Sequence, residues 1–169
     1  MKINQKIIDA LNRQIQEEFY SAYLYLAMSA DCEVKDLGGF AHWLKLQYHE
    51  ELEHAERIYA YIHDRGGVVK LEQIDQPRQS WESPQVLFEA ALSHEQHITK
   101  CIYDLVELSQ AQKDHATYSF LQWFVNEQVE EEKTVRDITQ SIKLVEQSPG
   151  GLYMINRELG QRSAAGHGH

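Results

Sequence analysis

Residues 67–83 read Gly67-Val68-Val69-Lys70-Leu71-Glu72-Gln73-Ile74-Asp75-Gln76-Pro77-Arg78-Gln79-Ser80-Trp81-Glu82-Ser83, a run without helical period between two long regions of regular apolar spacing. So long a structureless connection is unusual in a compact chain. Its neighbours explain it. Pro77, Pro84, Pro149 and nine glycines fall into a few clusters, leaving four stretches of roughly 27 to 33 residues free of both, as long helices require. Helices are predicted over about 5–33, 38–66, 84–111 and 115–147. Gly66 and Gly67 close the second, Ser83 and Pro84 open the third, and Asp114 caps the fourth.

The first two helices, and the last two, are joined by short connections and so form antiparallel hairpins. A helix of about 28 residues is roughly 42 Å long at ~1.5 Å per residue, whereas about 17 extended residues reach roughly 56 Å. The 67–83 linker is therefore long enough to cross the whole bundle, which predicts an overhand connection between hairpins rather than a simple up-down-up-down order. After Ser148-Pro149-Gly150-Gly151, residues 152–159 carry Leu152, Ile155 and Leu159 at helical spacing. This short fifth segment is expected to pack against another subunit. Residues 1–162 read as one domain and 163–169 as a flexible polar tail.

Sixteen Lys and Arg against 26 Asp and Glu give a net charge of −10, which argues against a nucleic-acid partner or an anionic membrane surface. With a mean hydropathy of −0.53, the chain has no apolar run of the roughly 20 residues that a membrane helix needs. The N-terminus, Met1-Lys2-Ile3-Asn4-Gln5-Lys6, lacks the continuous apolar segment of a secretory signal, and a cytoplasmic location is expected. Cys32 and Cys101 form no CxxC pair and read as two reduced thiols.

Stepping through each helix by three and four residues gives four inward stripes. The first is Ile8, Leu11, Ile15, Glu18, Ala22, Tyr25; the second is Phe40, Leu44, Gln47, Glu51, His54, Ile58, Tyr61. The third is Phe88, Ala91, Glu95, Ile98, Ile102, Leu105; the fourth is Leu121, Phe124, Gln128, Glu131, Val135, Ile138, Ile142, Val145. Each apolar seam is broken near its middle by a polar group. In an antiparallel bundle those middles share one level, so Glu18, Glu51, Glu95 and Glu131 should meet.

Burying an unpaired carboxylate costs several kcal/mol, and the stripes hold one imidazole, His54, and no Lys or Arg to offset four of them. A bound cation supplies the missing charge. Glu51 and His54, three apart on one face, can hold one metal while the second oxygen of Glu51 bridges to another. Four inward glutamates with such a pair make a carboxylate-bridged di-metal centre. Mixed oxygen and nitrogen donors with open positions suit redox-active iron better than structural zinc. An isolated Glu-x-x-His pair is commonly solvated surface; the three further carboxylates at the same level make the difference. Tyr25 reads as a core tyrosine needing a hydrogen-bond partner or as a residue beside the metals, and Trp123 as packing. Four glutamates between Glu127 and Glu132 repel one another and invite a further cation. His94 and His97, and His167 with His169, read as solvated side chains or adventitious metal binders.

Several segments resemble the bacterial non-haem ferritins, over nearly the whole span from Leu11 to Gly160. They are Leu11-Asn12-Arg13-Gln14 with Glu18 and Tyr20-Ser21, His49-Glu50-Glu51-Leu52-Glu53-His54-Ala55, His94-Glu95-Gln96 and Phe120-Leu121-Gln122-Trp123-Phe124-Val125. Glu127-Gln128-Val129-Glu130-Glu131-Glu132-Lys133, Gly151-Leu152-Tyr153 and Glu158-Leu159 complete the match. The resemblance implies an all-α, ferritin-like four-helix bundle with a long crossover and a short fifth C-terminal helix. It implies an iron-storage ferroxidase, oxidising Fe2+ with O2 or H2O2 and storing ferric oxide in a hollow shell of twenty-four identical subunits. Glu18, Glu51 and His54 would hold the first iron, and Glu51, Glu95 and Glu131 the second, with Gln128 and Tyr25 close by. Glu50, Glu127, Glu130 and Glu131 would make a third, weaker iron position.

Departures from neighbouring families sharpen this. A bacterioferritin would carry a second Glu-x-x-His and a haem-binding methionine where this chain has Gln128-x-x-Glu131 and Leu52, so no haem is expected. A rubrerythrin would add paired cysteines, and the DNA-protecting mini-ferritins lack the fifth helix and build their site between subunits. From another functional class, a non-enzymatic acidic bundle that merely binds divalent cations or serves as an assembly module shares the acidity and helicity.

Overall fold

The computed structural model describes residues 3–164 and contains five helices: α1 (Gln5–Val34), α2 (Gly38–Asp64), α3 (Pro84–Ala111), α4 (His115–Leu144) and α5 (Pro149–Leu159). Side chains of Asn4, Ser83, Asp114 and Ser148 accept backbone N–H groups in the first turns of α1, α3, α4 and α5. α2 stops at Asp64, two residues before the expected end, because Gly66 takes a left-handed φ of 68°. The N–H groups of Gly66 and Gly67 then donate to His63 and Ile62 carbonyls at 2.9 and 2.8 Å, which closes the helix. α4 ends at Leu144 rather than 147, since residues 145–147 form the turn into α5. α5 in turn starts at Pro149, three residues earlier than expected, by the same Ser-Pro opening as α3.

α1 pairs with α2 and α3 with α4, as two hairpins, and the crossover of residues 65–83 runs along α1. It is fastened at two places. Asn12 donates to the Val68 carbonyl at 3.0 Å and accepts from Lys70 N–H at 2.8 Å. Farther along α1, buried Asp31 accepts from Ser80 Oγ at 2.9 Å and Trp81 N–H at 3.1 Å, and Lys35 joins the same carboxylate. Asn12 and Asp31 stand nineteen positions apart on α1, so the strap travels most of the bundle length, as its sequence length required.

The apolar core falls into two clusters. One gathers Tyr25, Met28, Phe40, Leu44, Phe88 and Val135; the other gathers Ile8, Leu11, Ile15, Ile58, Ile102 and Phe124. The polar residues of the four stripes lie between them. In α5, Leu152, Ile155 and Leu159 pack against the chain's own core, while Tyr153 and Met154 face outward. Asn156 Oδ1 accepts the N–H groups of Gly39 and Phe40 at 2.9 and 3.1 Å, capping α2, whose own preceding residue Leu37 offers no side-chain cap. A Cβ on Gly39 would fall 1.6 Å from the Asn156 carbonyl oxygen, so only glycine lets the two helices come this close. Among the described residues no helix is long and apolar enough to cross a membrane. The expected tail lies mostly outside the described residues, as do His167 and His169.

Candidate metal centre

Each helix of the bundle delivers ligand-type side chains to the layer between the apolar clusters. α1 contributes Glu18, α2 Glu51 and His54, α3 Glu95, and α4 Gln128 and Glu131, all buried. Their regular spacing along the helices also supplies local support. Gln14 donates to Glu18 at 2.8 Å and Gln47 to Glu51 at 3.0 Å, in both cases from one turn earlier on the same helix.

His54 stands at the middle of the layer. Its Nδ1 lies 3.3 Å from Glu51 Oε2 and 3.9 Å from Glu18 Oε2, and its Nε2 lies 3.8 Å from Glu131 Oε1. Donor atoms of Glu18, Glu51 and His54 fall within 4.8 Å of one another, and so do those of Glu51, Glu95 and Glu131. Glu51 belongs to both sets. Tyr25 donates its hydroxyl proton to Glu95, Gln128 donates to the Glu95 carboxylate and carbonyl at 3.2 Å, and Gln47 reaches Glu131 at 2.6 Å. Glu18 Oε2 and His54 Nε2 are buried without a hydrogen-bond partner. Buried polar atoms are nearly always satisfied, and these two are placed where they could coordinate a cation.

The electrostatics agree. Burial pushes the Glu18 carboxyl up to about 8, with His54 opposing and Glu51 adding to the rise. Burial and then Glu51 raise Glu95 to about 8, and the same two causes raise Glu131. Burial also opposes ionisation of Glu51, but His54 outweighs it and holds this carboxyl below its ordinary range. Burial lowers His54, yet Glu51 and Glu18 reverse this and bring it to about 9. Tyr25 is raised by burial and by Glu95. Without metal, then, protons substitute for the charge the layer lacks.

Glu50, Glu127, Glu130 and Glu131 line a single pocket beside this layer, with Gln47, Thr134 and Arg162. His54, Glu127 and Glu131 also bring donor atoms within 4.8 Å of one another. Sequence reasoning missed Arg162, which donates to Glu50 at 2.7 Å and Gln47 at 3.2 Å and stands over the Trp43 ring at 4.5 Å. No spacing signal marks it, because it lies beyond α5 and returns by tertiary folding. Trp123 packs edge-on to His54 with ring centroids 5.4 Å apart, and the Arg57 guanidinium stands over the Trp123 ring, 4.2 Å from its centroid. His94 is not solvated as expected; it is half-buried and 2.7 Å from Ser21 Oγ. His97 is exposed but engaged with Glu17 at 3.0 Å.

A family model described as a ferritin-like domain matches residues 8–145. The chain is 42% identical over 160 residues to a bacterial non-heme ferritin of Bacteroides fragilis (strain 638R), covering 95% of this chain and 99% of the relative. A bacterial non-heme ferritin of Campylobacter jejuni is 39% identical over 157 residues, covering 93% and 94%. The crystal structure of an open pore ferritin from the hyperthermophilic archaeon Archaeoglobus fulgidus superposes with a TM-score of 0.95 at 43% identity, covering 96% of this chain and all of that one.

Proposed function

The chain belongs to the ferritin family of iron-storage proteins, and on that premise we propose that it is a ferroxidase subunit, taking Fe2+ as substrate at the central layer. Glu18, Glu51 and His54 receive one Fe2+; Glu51, Glu95 and Glu131 receive the second, with Glu51 bridging and Gln128 beside it. The observation that carries this reading is the pair of donor sets sharing Glu51, with Glu18 Oε2 and His54 Nε2 buried and unpartnered. Two Fe2+ ions on one bridging carboxylate offer two electrons together to O2 or H2O2, and the ferric product leaves as hydrated oxide.

The chain's own residues set the terms of that step. Tyr25 and Gln128 fix the Glu95 carboxylate, and Gln14 and Gln47 fix Glu18 and Glu51, so the ligands are held before metal arrives. Protons on Glu18, Glu95, Glu131 and His54 must leave as iron enters, so loading releases protons. Glu50, Glu127, Glu130 and Glu131 provide a third iron position, weaker because Arg162 already pairs with Glu50. Twenty-four identical subunits forming a hollow shell complete the proposal, with the mineral inside it; light scattering that gives a monomer or dimer would remove the shell.

The decisive experiment is anaerobic loading with Fe2+ followed by mixing with O2 or H2O2, recording the absorbance of the ferric product. Glu51→Ala and His54→Ala should each slow oxidation by at least about tenfold, the lower end of what loss of a metal-site partner costs. Equal slow rates in wild type and both variants would leave only a passive cation-binding bundle.

A further inference from the structure

Away from the central layer, α1 and α3 bring a second set of metal-ligating atoms together. Glu17 Oε2 lies 3.0 Å from His97 Nε2, and Cys101 Sγ lies 3.6 Å from that same nitrogen. The donor atoms of all three residues fall within 4.8 Å of one another. His97 and Cys101 are one turn apart on α3, and Glu17 faces them from α1. Glu17 and Cys101 line a groove whose wall includes Gln14, the residue that donates to Glu18. The cluster therefore stands beside the central layer while sharing no residue with it.

Hydrogen bonding leaves this trio incomplete. If Nε2 carries the proton it serves Glu17, and the Cys101 thiol finds no acceptor there; if Nε2 accepts from the thiol, its lone pair is spent and the Glu17 oxygen faces it without a proton between them. A cation at the centre satisfies all three donors at once. With bonds of about 2.0 Å to oxygen and nitrogen and about 2.3 Å to sulfur, a tetrahedral ion needs O–N and N–S separations of roughly 3.3 and 3.5 Å. The observed 3.0 and 3.6 Å differ from these by a few tenths of an ångström, within reach of side-chain adjustment.

We propose that Glu17, His97 and Cys101 form a second, separate metal site for a borderline divalent cation of the Zn2+ or Co2+ class, with a fourth position open to water. Its sulfur ligand sets it apart from the oxygen-and-nitrogen central layer and shifts its preference toward softer ions. Burial, with Glu17 and Asp104 adding, pushes the Cys101 thiol up to about 11, so Cys101 is no free reactive thiolate. The same negative neighbours favour a cation, whose binding displaces that proton. The inference does not depend on iron oxidation at the central layer.

Cobalt supplies the test, because a thiolate bound to Co2+ gives a near-ultraviolet charge-transfer band that carboxylate and imidazole ligands do not. The full chain, reduced and kept free of oxygen, is titrated with Co2+ alone. The band should saturate at an intensity of one thiolate–Co2+ bond per chain, persist in Glu51→Ala, vanish in Cys101→Ser, and need at least about tenfold more Co2+ in His97→Ala. Absence of the band in wild type overturns the site. So does its survival in Cys101→Ser, which would assign it to Cys32, buried in the apolar cluster with Trp81 and Phe88, and so does an unchanged titration in His97→Ala.

Discussion

Two polar clusters lie partly or wholly out of water in this molecule, and they are built on opposite principles. At one end of the bundle, Arg65 after α2 meets Asp114 before α4 through paired contacts of 3.1 and 2.9 Å, with Tyr61 and Thr117 completing the network. Charge there sums to zero and the network closes on itself. The central layer holds Glu18, Glu51, Glu95 and Glu131 against His54 alone, and two of its buried atoms have no partner. A balanced cluster fastens helices together, whereas an unbalanced one stores an affinity for cations at the expense of stability. Deleting a charge should therefore have opposite signs in the two places.

The largest effect expected comes from metal itself. In a Cys101→Ser background, which takes the sulfur ligand from the Glu17–His97–Cys101 trio, Zn2+, which is redox-inert, at about a hundred times its dissociation constant should stabilise the folded chain by about 2.7 kcal/mol in thermal or denaturant unfolding, and chelation should reverse it. The same increment in Glu51→Ala would mean that the cation binds elsewhere. The effect depends on pH in a definite direction. Glu18 and Glu95 rise from 4.5 to about 8 and His54 from 6.5 to about 9 on folding, so their contribution to metal-free stability is full below 4.5 and 6.5 respectively. It is lost as pH rises through about 8 and 9. Glu51 is lowered and works the other way, adding stability above 4.5 that is lost as pH falls through its folded value. The metal increment should accordingly shrink as pH falls toward 5, where protons compete for the same donors.

Next in size is Asp114→Ala, which removes the partner of Arg65 and also the oxygen that accepts Thr117 N–H at 3.0 Å to cap α4. A cap of this kind is worth ~1 kcal/mol and a partly exposed pair up to about the same, so a loss of about 2 kcal/mol is expected, equal with and without Zn2+. Glu18→Gln tests the opposite sign. The amide keeps an acceptor for Gln14 and, at a pH above the value of about 8 to which burial pushes Glu18, removes a buried negative charge beside Glu51, so at about pH 9 the metal-free chain should gain about 1 kcal/mol while, in the same Cys101→Ser background, the Zn2+ increment falls away. Destabilisation of the metal-free chain by Glu18→Gln would mean that the layer is balanced after all.

The unbalanced cluster was also the more legible of the two in the sequence. Glu18, Glu51, His54, Glu95, Gln128 and Glu131 all sit at helical spacing inside apolar stripes, and periodicity alone brings them to one level. The topology was legible for a similar reason, since the 67–83 linker declares its length directly. What escaped depends on segments meeting without any period. Arg162 reaches Glu50 from beyond the last helix, Asn156 caps α2 from α5, and Gly39 is a contact point between those helices rather than a simple break. Asp114 was visible only as a cap and Arg65 not at all, because the two residues share no stripe.

The end of the bundle that carries the balanced cluster also carries a small, correctable cost. Lys113 follows the end of α3 with a left-handed φ of 55°, in the same closure that Gly66 makes after α2. Its N–H donates to Gln110, and the next N–H, from Asp114, donates to Ser109, both at 2.9 Å. The bonds need the left-handed backbone, and a residue with a Cβ pays about 1 kcal/mol to adopt it where glycine does not. Lys113 is exposed, and the closure rests on backbone hydrogen bonds rather than on its side chain. Lys113→Gly should therefore stabilise the chain by about 0.5–1 kcal/mol, less the extra freedom glycine gives the unfolded chain. The gain should be the same with or without Zn2+ and should add to the loss in Asp114→Ala only in part, since the two residues are adjacent. A loss of stability in Lys113→Gly would show that unfolded-chain entropy, rather than left-handed strain, decides this turn.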